Sequence, residues 1–347
     1  MHSKRVLALA ATVAAAAVLT ACSSSADEPA ATSDSDAASD SAFPVTIQHA
    51  LGETTIDSAP ERVATVGWGN QDVALALGVA PVGVSDQTWS FDGSEGAGLY
   101  EWTTQAYEEL GAPEPTVFDE TDGLDFEAIA DTDPDVILAA YSGLTDEEYA
   151  TLSEIAPTVA HPDIAWGTTW RQAIALNSEA LGLATEGDEL IADLETQISD
   201  AVATAPDLKG KSFAFVSATA TDLSSIYVYT TIDPRVAFLT DLGLEVPDSV
   251  TTLSEENDGQ FYGVVSAENI DLLSDADVLV SYGDDSLLEA LQADPLLSTL
   301  PSVQNGAVVT LGLGEGLSAA STQTALSIPW SIDDYTAALE EAAAKVQ

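Results

Sequence analysis

The chain is poor in the residues on which most enzyme chemistry and most nucleic-acid binding depend. It carries one cysteine, three histidines, and eight lysines and arginines against 58 aspartates and glutamates. A single cysteine permits no internal disulfide. Eight bases scattered through 347 residues do not cluster as phosphate binding requires, which excludes a nucleic-acid partner. His2 sits at the start of the chain. His49 and His161 are far apart and outside any zinc-ligand spacing; both are expected on loops or at the surface. No Gly-x-Ser-x-Gly elbow is present, and paired carboxylates carry no information where acids are this common. Neither a catalytic set, nor a cofactor, nor a metal held directly by the protein is therefore expected. Long apolar runs are also missing, since none approaches the 18 or so residues of a membrane-spanning helix.

What is present begins at that one cysteine. Lys4 and Arg5 precede an apolar run from Val6 to Leu19, and Thr20 and Ala21 are small. This is the basic, apolar and small-residue order of a secretory signal peptide. Leu19-Thr20-Ala21-Cys22 resembles a bacterial lipobox, in which the cysteine thiol takes a lipid and cleavage falls just before it. Residues 1–21 are expected to be the signal peptide. Residues 22–42 are expected to be the lipidated Cys22 with a disordered tether of Ser, Ala, Asp, Thr and Pro that holds no core-forming residue before its end. The expected location is the extracytoplasmic face of the cell membrane, held by a lipid anchor alone. Loss of Lys4 and Arg5 would leave six basic residues against 58 acids, a surface charge that favours solubility.

From Phe43 onward short β runs alternate with helical runs. Val45–Ile47 and Thr54–Ile56 read as a hairpin. Strands are expected at Arg62–Gly67, Val79–Val84, Asp135–Ala140 and Thr158–Ala160, and helices at Asp72–Leu77, Phe126–Asp131 and Thr145–Ile155. Two helices, Thr169–Leu181 and Asp188–Ala205, fill the middle; the second has Ile191, Leu194, Ile198 and Val202 on one face. Strands then resume at Ser212–Ser217, Asp277–Ser281 and Ala307–Leu311. Helices are expected at Pro234–Leu242, Ala267–Leu273 and Asp333–Val346. Repeated strand–helix units imply a mostly parallel sheet flanked by helices. The halves echo one another: "FEAIADTDPDVILAAY" (126–141) and "AENIDLLSDADVLVSY" (267–282) both place a Glu second, then a helical turn, an acidic loop and a strand. The expected fold class is α/β, with two Rossmann-like lobes joined by one long helix. The expected divisions are 43–168 for the N-terminal lobe, 169–206 for the linker helices and 207–347 for the C-terminal lobe.

Several stretches in order give this pattern a family. "APERVATVGWGNQDVALALGVAPVGV" (59–84), "LDFEAIADTDPDVILA" (124–139), "LSEIAPTVA" (152–160), "TTWRQAIALNSEALG" (168–182) and "DPRVAFLTDLGLEVP" (233–247) resemble the ferric-siderophore-binding lipoproteins of bacterial ABC importers. The resemblance covers nearly all of residues 43–346. It implies the class III periplasmic-binding-protein fold, a ligand cleft between the lobes, and iron enclosed by an organic chelator rather than held by the protein. It also implies a permease dimer as partner, docked through one glutamate on each lobe. The matching positions are Glu127 in "LDFEAI" and Glu268 in "VSAENI", the pair picked out by the internal echo. As acids in a first helical turn they would also favour the helix dipole. A monomer is expected.

Ligands of parallel α/β sheets lie beyond the carboxyl ends of the strands. The residues just past the expected strands are Trp68 and Asn70, then Trp89 with the loop reaching Tyr100 and Trp102, then Tyr141, then Trp166. In the second half they are Tyr227 and Tyr229, Tyr282, and Trp330 in the final loop. Singly, such aromatics pack loops onto a lobe; together they suit a wide apolar cleft. Arg235, at the start of a helix facing the cleft, is the basic residue expected there. Arg62 is expected to be structural, and Arg171 to pair near the linker. With so little positive charge available, a hydroxamate or mixed siderophore near neutral or positive charge is expected. Haem and vitamin B12 receptors share the fold and remain alternatives for the ligand. Outside transport, a secreted hydrolase with two catalytic carboxylates or a structural surface lipoprotein are the rivals.

Overall fold

The computed structural model describes residues 42–87, 98–120, 123–314 and 316–346. Cys22 and Trp89 lie outside the described residues. The chain opens with an antiparallel hairpin, β1 (Val45–His49) and β2 (Gly52–Ile56), in the register Val45 to Ile56. Then come β3 (Val63–Thr65), α1 (Asn70–Ala76), β4 (Gly83–Ser85), α2 (Glu101–Leu110), β5 (Thr116–Phe118), α3 (Phe126–Asp131), β6 (Val136–Leu138), α4 (Asp146–Ile155) and β7 (Thr158–Val159). The five strands β5-β4-β3-β6-β7 pair in parallel. Both faces of β3 and β6 are buried, which is why they read as continuous apolar runs rather than alternations.

Two helices come next, α5 (Trp170–Ala180) and α6 (Ala184–Ala203). The side chain of Thr169 accepts from Gln172 N while Gln172 answers to the Thr169 backbone, a reciprocal cap that starts α5. At 20 residues, α6 runs about 30 Å and joins the two α/β lobes. It buries Leu194 and Ile198, which meet Ile332, Tyr335 and Leu339 in one apolar cluster. The helix begins a turn before the expected Asp188 because Gly187 lies inside it. A Cβ there would meet Ser178 Oγ at 2.1 Å, so glycine marks a close helix contact and not a boundary.

The second lobe comprises β8 (Phe213–Thr219), β9 (Asp222–Tyr229), α7 (Pro234–Asp241), α8 (Asp248–Glu256), β10 (Tyr262–Ser266), β11 (Val278–Tyr282), α9 (Asp285–Ala293), α10 (Pro301–Asn305), β12 (Val308–Thr310), α11 (Leu317–Ala320) and α12 (Ser327–Ala343). Its sheet order is β10-β9-β8-β11-β12. Strands β8, β11 and β12 are parallel; β9 and β10 are antiparallel additions on one side.

Several expectations change. Tyr227 and Tyr229 lie within β9 rather than after a strand; two strands, β9 and β10, were hidden because Ser and Gly interrupt their alternation. Trp102 is in the first turn of α2, not in a loop. Trp330 is in the first turns of α12, which begins at Ser327 rather than Asp333. Pro329 reads as a stop, yet proline is tolerated in a first turn, where its missing N–H has no partner to lose. Segment Ala267–Leu273 is a helix over the expected residues, of the 3-10 kind. His49 and His161 are both buried, not at the surface. His49 pairs with Thr54 Oγ1 at 3.0 Å across the opening hairpin, and burial lowers the pKa of both imidazoles.

Arg62 and Arg171 are held as anticipated. Arg62 Nε donates to the Asp133 carbonyl at 2.8 Å beyond the end of α3. Arg171 bridges Glu195 of α6 and Asp241 of α7 at 2.8 and 2.7 Å.

Candidate functional site

A cavity of about 610 Å3 opens between the lobes, within the range of small-molecule sites. On the first lobe its wall is built from residues just past the carboxyl ends of four neighbouring parallel strands. Gly67 and Trp68 come after β3, Asp86 after β4, Glu120 after β5 and Tyr141 after β6. Trp166 closes this side. The second lobe contributes Tyr229 at the end of β9, Arg235 in α7, Phe261 before β10, and Thr322.

Arg235 is buried and fixed from three directions. Its Nε and Nη2 donate to the two oxygens of Asp233 at 2.8 and 2.5 Å. Its Nη1 donates to Tyr282 Oη at 2.9 Å, which also meets Ser321 Oγ at 3.1 Å. The guanidinium carbon lies 3.9 Å from the centre of the Tyr229 ring, a cation–π arrangement. Asp233 caps α7 by accepting from Arg235 N, and Pro234 occupies the first helical position. Local helix-start chemistry therefore sets the bidentate pair. Burial works to lower the guanidinium's pKa, but Asp233 and the neighbouring tyrosines outweigh it and hold the pKa well above its usual value, while burial pushes the Tyr229 hydroxyl up to about 12.

Aromatic rings frame the opposite wall. Tyr141 and Trp166 meet edge to face at 5.7 Å. Trp166 has a left-handed backbone, φ 60°, rare for a bulky residue and costly unless its surroundings impose it. Gly143 makes room for its indole: a Cβ there would lie 2.1 Å from Trp166 Nε1. Behind Trp68 runs a ladder in which Tyr100 lies 5.7 Å from Trp68 and 4.5 Å from Trp102, and Trp102 lies 5.0 Å from Trp330.

Of the expected site residues, then, Trp68, Tyr141, Trp166, Tyr229 and Arg235 converge on the cavity. Tyr282 acts behind Arg235, and Tyr100, Trp102 and Trp330 support the wall. Asn70 does not line it. Its amide donates to the Val66 and Tyr141 carbonyls at 2.8 and 3.1 Å, and its Oδ1 accepts from Tyr141 N and Asn177 Nδ2, so it welds the ends of β3 and β6 together. Tyr227 is 47% exposed and packs on Tyr262 instead. Asp86, Glu120, Phe261 and Thr322 were not anticipated. Glu120 comes after a strand of only three residues, too short to show a period.

Residues 63–313 match the periplasmic binding protein family. The chain belongs to that family. Among relatives in this family, YfiY of Bacillus subtilis (strain 168), described as a probable siderophore-binding lipoprotein, is 30% identical over 265 residues, covering 76% of this chain and 74% of YfiY. PiaA of Streptococcus pneumoniae TIGR4, solved in complex with ferrichrome, is 44% identical with a TM-score of 0.83, covering 87% of this chain and 100% of PiaA. Staphylococcus aureus SirA, solved with staphyloferrin B, is 23% identical with a TM-score of 0.65 over 85% of this chain and 98% of SirA, a likeness of fold alone. The two-lobed α/β architecture is the fold of periplasmic binding proteins, whose members bind substrates rather than transform them. Among the described residues no group of three His, Cys, Asp or Glu could hold a metal ion, and no helix is long and apolar enough to cross a membrane.

Proposed function

We propose that this protein captures a ferric siderophore of the hydroxamate class in the cavity between its lobes and delivers it to the permease dimer of an ABC importer. The observation that carries this reading is the cavity itself: an aromatic enclosure with one guanidinium, held rigid by Asp233 and Tyr282, in a chain 44% identical to a protein solved with ferrichrome. Arg235 would donate its remaining N–H groups to chelator oxygens, and the rings of Trp68, Tyr141, Trp166 and Tyr229 would cover the apolar backbone of the complex. One cation already matched by Asp233 suits a complex of little negative charge, because an anion would need further donors to offset its desolvation. No catalytic step and no cofactor enter this role.

Residues 1–21 act as the signal peptide in this reading, and a lipid on Cys22 holds a monomer at the extracytoplasmic face of the membrane. Failure of Cys22→Ala to take up radiolabelled palmitate checks the anchor; labelling of that variant would overturn it. The binding claim is checked by quenching of tryptophan fluorescence with ferrichrome, ferrioxamine B, ferric enterobactin, haem and cobalamin. Saturable tight binding of a ferric hydroxamate is expected. Tighter binding of ferric enterobactin, haem or cobalamin would overturn it.

A further inference from the structure

The two walls of the cavity differ in charge. On the second lobe the positive charge of Arg235 is matched by Asp233, whose carboxylate takes two of its N–H donors. On the first lobe, Asp86 and Glu120 lie just past adjacent strands β4 and β5 and both line the cavity. Glu120 is pinned, its Oε1 accepting from Ser85 Oγ at 2.5 Å and its carboxylate also taking a backbone hydrogen bond from Gly67. The charged groups that act on it, Asp86 and Glu148, are both acids. Burial and these neighbours raise its pKa to about 7, so a carboxylate here has much to gain from a cation brought close.

We infer that Glu120 is the charge-selecting residue of the cavity, favouring a ferric hydroxamate whose free arm ends in a protonated amine over the same complex with that amine blocked. The inference rests on the hydroxamate reading above and goes beyond it by naming the wall, the residue and the group recognised. Iron and its hydroxamate oxygens would face Arg235, and the ammonium would face Glu120 across the cavity. An ammonium donates to a carboxylate with a charge-assisted hydrogen bond, and Asp86 adds to the negative potential of the same wall.

The test uses a matched pair of ligands, ferrioxamine B and its N-acetylated form, with uncharged ferrichrome as reference, in titrations of the intact protein at low salt. The wild type is expected to bind ferrioxamine B about tenfold more tightly than the acetylated complex, with the gap narrowing as salt rises. Glu120→Gln, which keeps the shape and the contact with Ser85, is expected to weaken ferrioxamine B binding to the level of the acetylated form, a larger loss than it causes for the acetylated complex or for ferrichrome. Equal binding of the pair by the wild type, or an equal loss for all three complexes in Glu120→Gln, overturns the inference while leaving the hydroxamate reading intact. Binding of ferrichrome without either ferrioxamine does the same. Binding of none of the three overturns both.

Discussion

The carboxylate of Asp72 in α1 accepts a hydrogen bond from Thr324 Oγ1 at 2.5 Å, joining the first lobe to the segment that leads into α12, 252 positions later. The same carboxylate accepts from Trp102 Nε1 and Thr103 Oγ1, each at 2.9 Å, and from Gln71 Nε2 at 3.2 Å. It is fully buried. One side chain thus ties α1, α2 and the approach to α12 together directly behind Trp68.

Burial lifts the Asp72 pKa to about 6 despite those four donors. The folded value exceeds the unfolded value of about 3.9, so between these values the folded state binds more protons. Stability contributed by this group is then present below about pH 4 and is lost as pH rises to about 6, by about 3 kcal/mol in all. The melting temperature of the wild type relative to Asp72→Asn should therefore fall as pH is raised from 4 to 6.5. A difference that stays constant across that range would show that Asp72 does not titrate there.

Replacing Arg235 should cost stability as well as binding. Its partner Asp233 has a side chain only 1% exposed, and an unmatched buried carboxylate is destabilising by about 3–5 kcal/mol. Urea unfolding of Arg235→Met should move to a clearly lower midpoint, and Asp233→Asn in the same chain should recover part of the loss. If the single and double variants unfold together, the pair is not what the folded state depends on. Ligand binding should be lost in both.

Gly143→Ala tests the seat of Trp166. The added Cβ would meet the indole at 2.1 Å, and an alanine is otherwise tolerated because the position has no positive φ. The ring must leave its edge-to-face contact with Tyr141, which should weaken siderophore binding by about 1 kcal/mol with little loss of melting temperature. Unchanged affinity would mean that Trp166 does not cover the ligand.

We propose Glu127 and Glu268 as the permease-docking pair, the role that the family resemblance implies for them. Both are exposed, one in the first turn of α3 and the other in the first turn of the 3-10 helix that leads into β11. Neither lines the cavity. Glu127→Arg with Glu268→Arg should leave ligand binding unchanged and reduce cellular uptake sharply, because each proposed contact with a permease arginine would become a like-charge clash. Wild-type uptake by a normally expressed double variant would leave only a helix-dipole role for these acids.

Much of this architecture is written in local pattern. The alternation of buried apolar runs with capped helical segments specifies an α/β chain, because burial on both faces of a parallel strand leaves a continuous apolar run while burial on one face of a helix leaves a helical period. Thr169 with Gln172, and Asp233 with Pro234, mark helix starts directly in the chain, which is why Arg235 is legible from its neighbours alone as a residue at the head of a helix. The echo between 126–141 and 267–282 likewise marks equivalent places, since β6 and β11 each lie between two parallel partners. Tertiary structure decided the rest. The sheet order β5-β4-β3-β6-β7 brings the ends of four strands to one wall, and no local period encodes that order. It makes Glu120 and Asp86 cavity residues, turns Asn70 from a candidate ligand contact into a backbone clasp, and sets Asp72 against Thr324. Each of these depends on which distant segments meet, and chain contacts of that kind arise from packing whole elements rather than from the residues on either side.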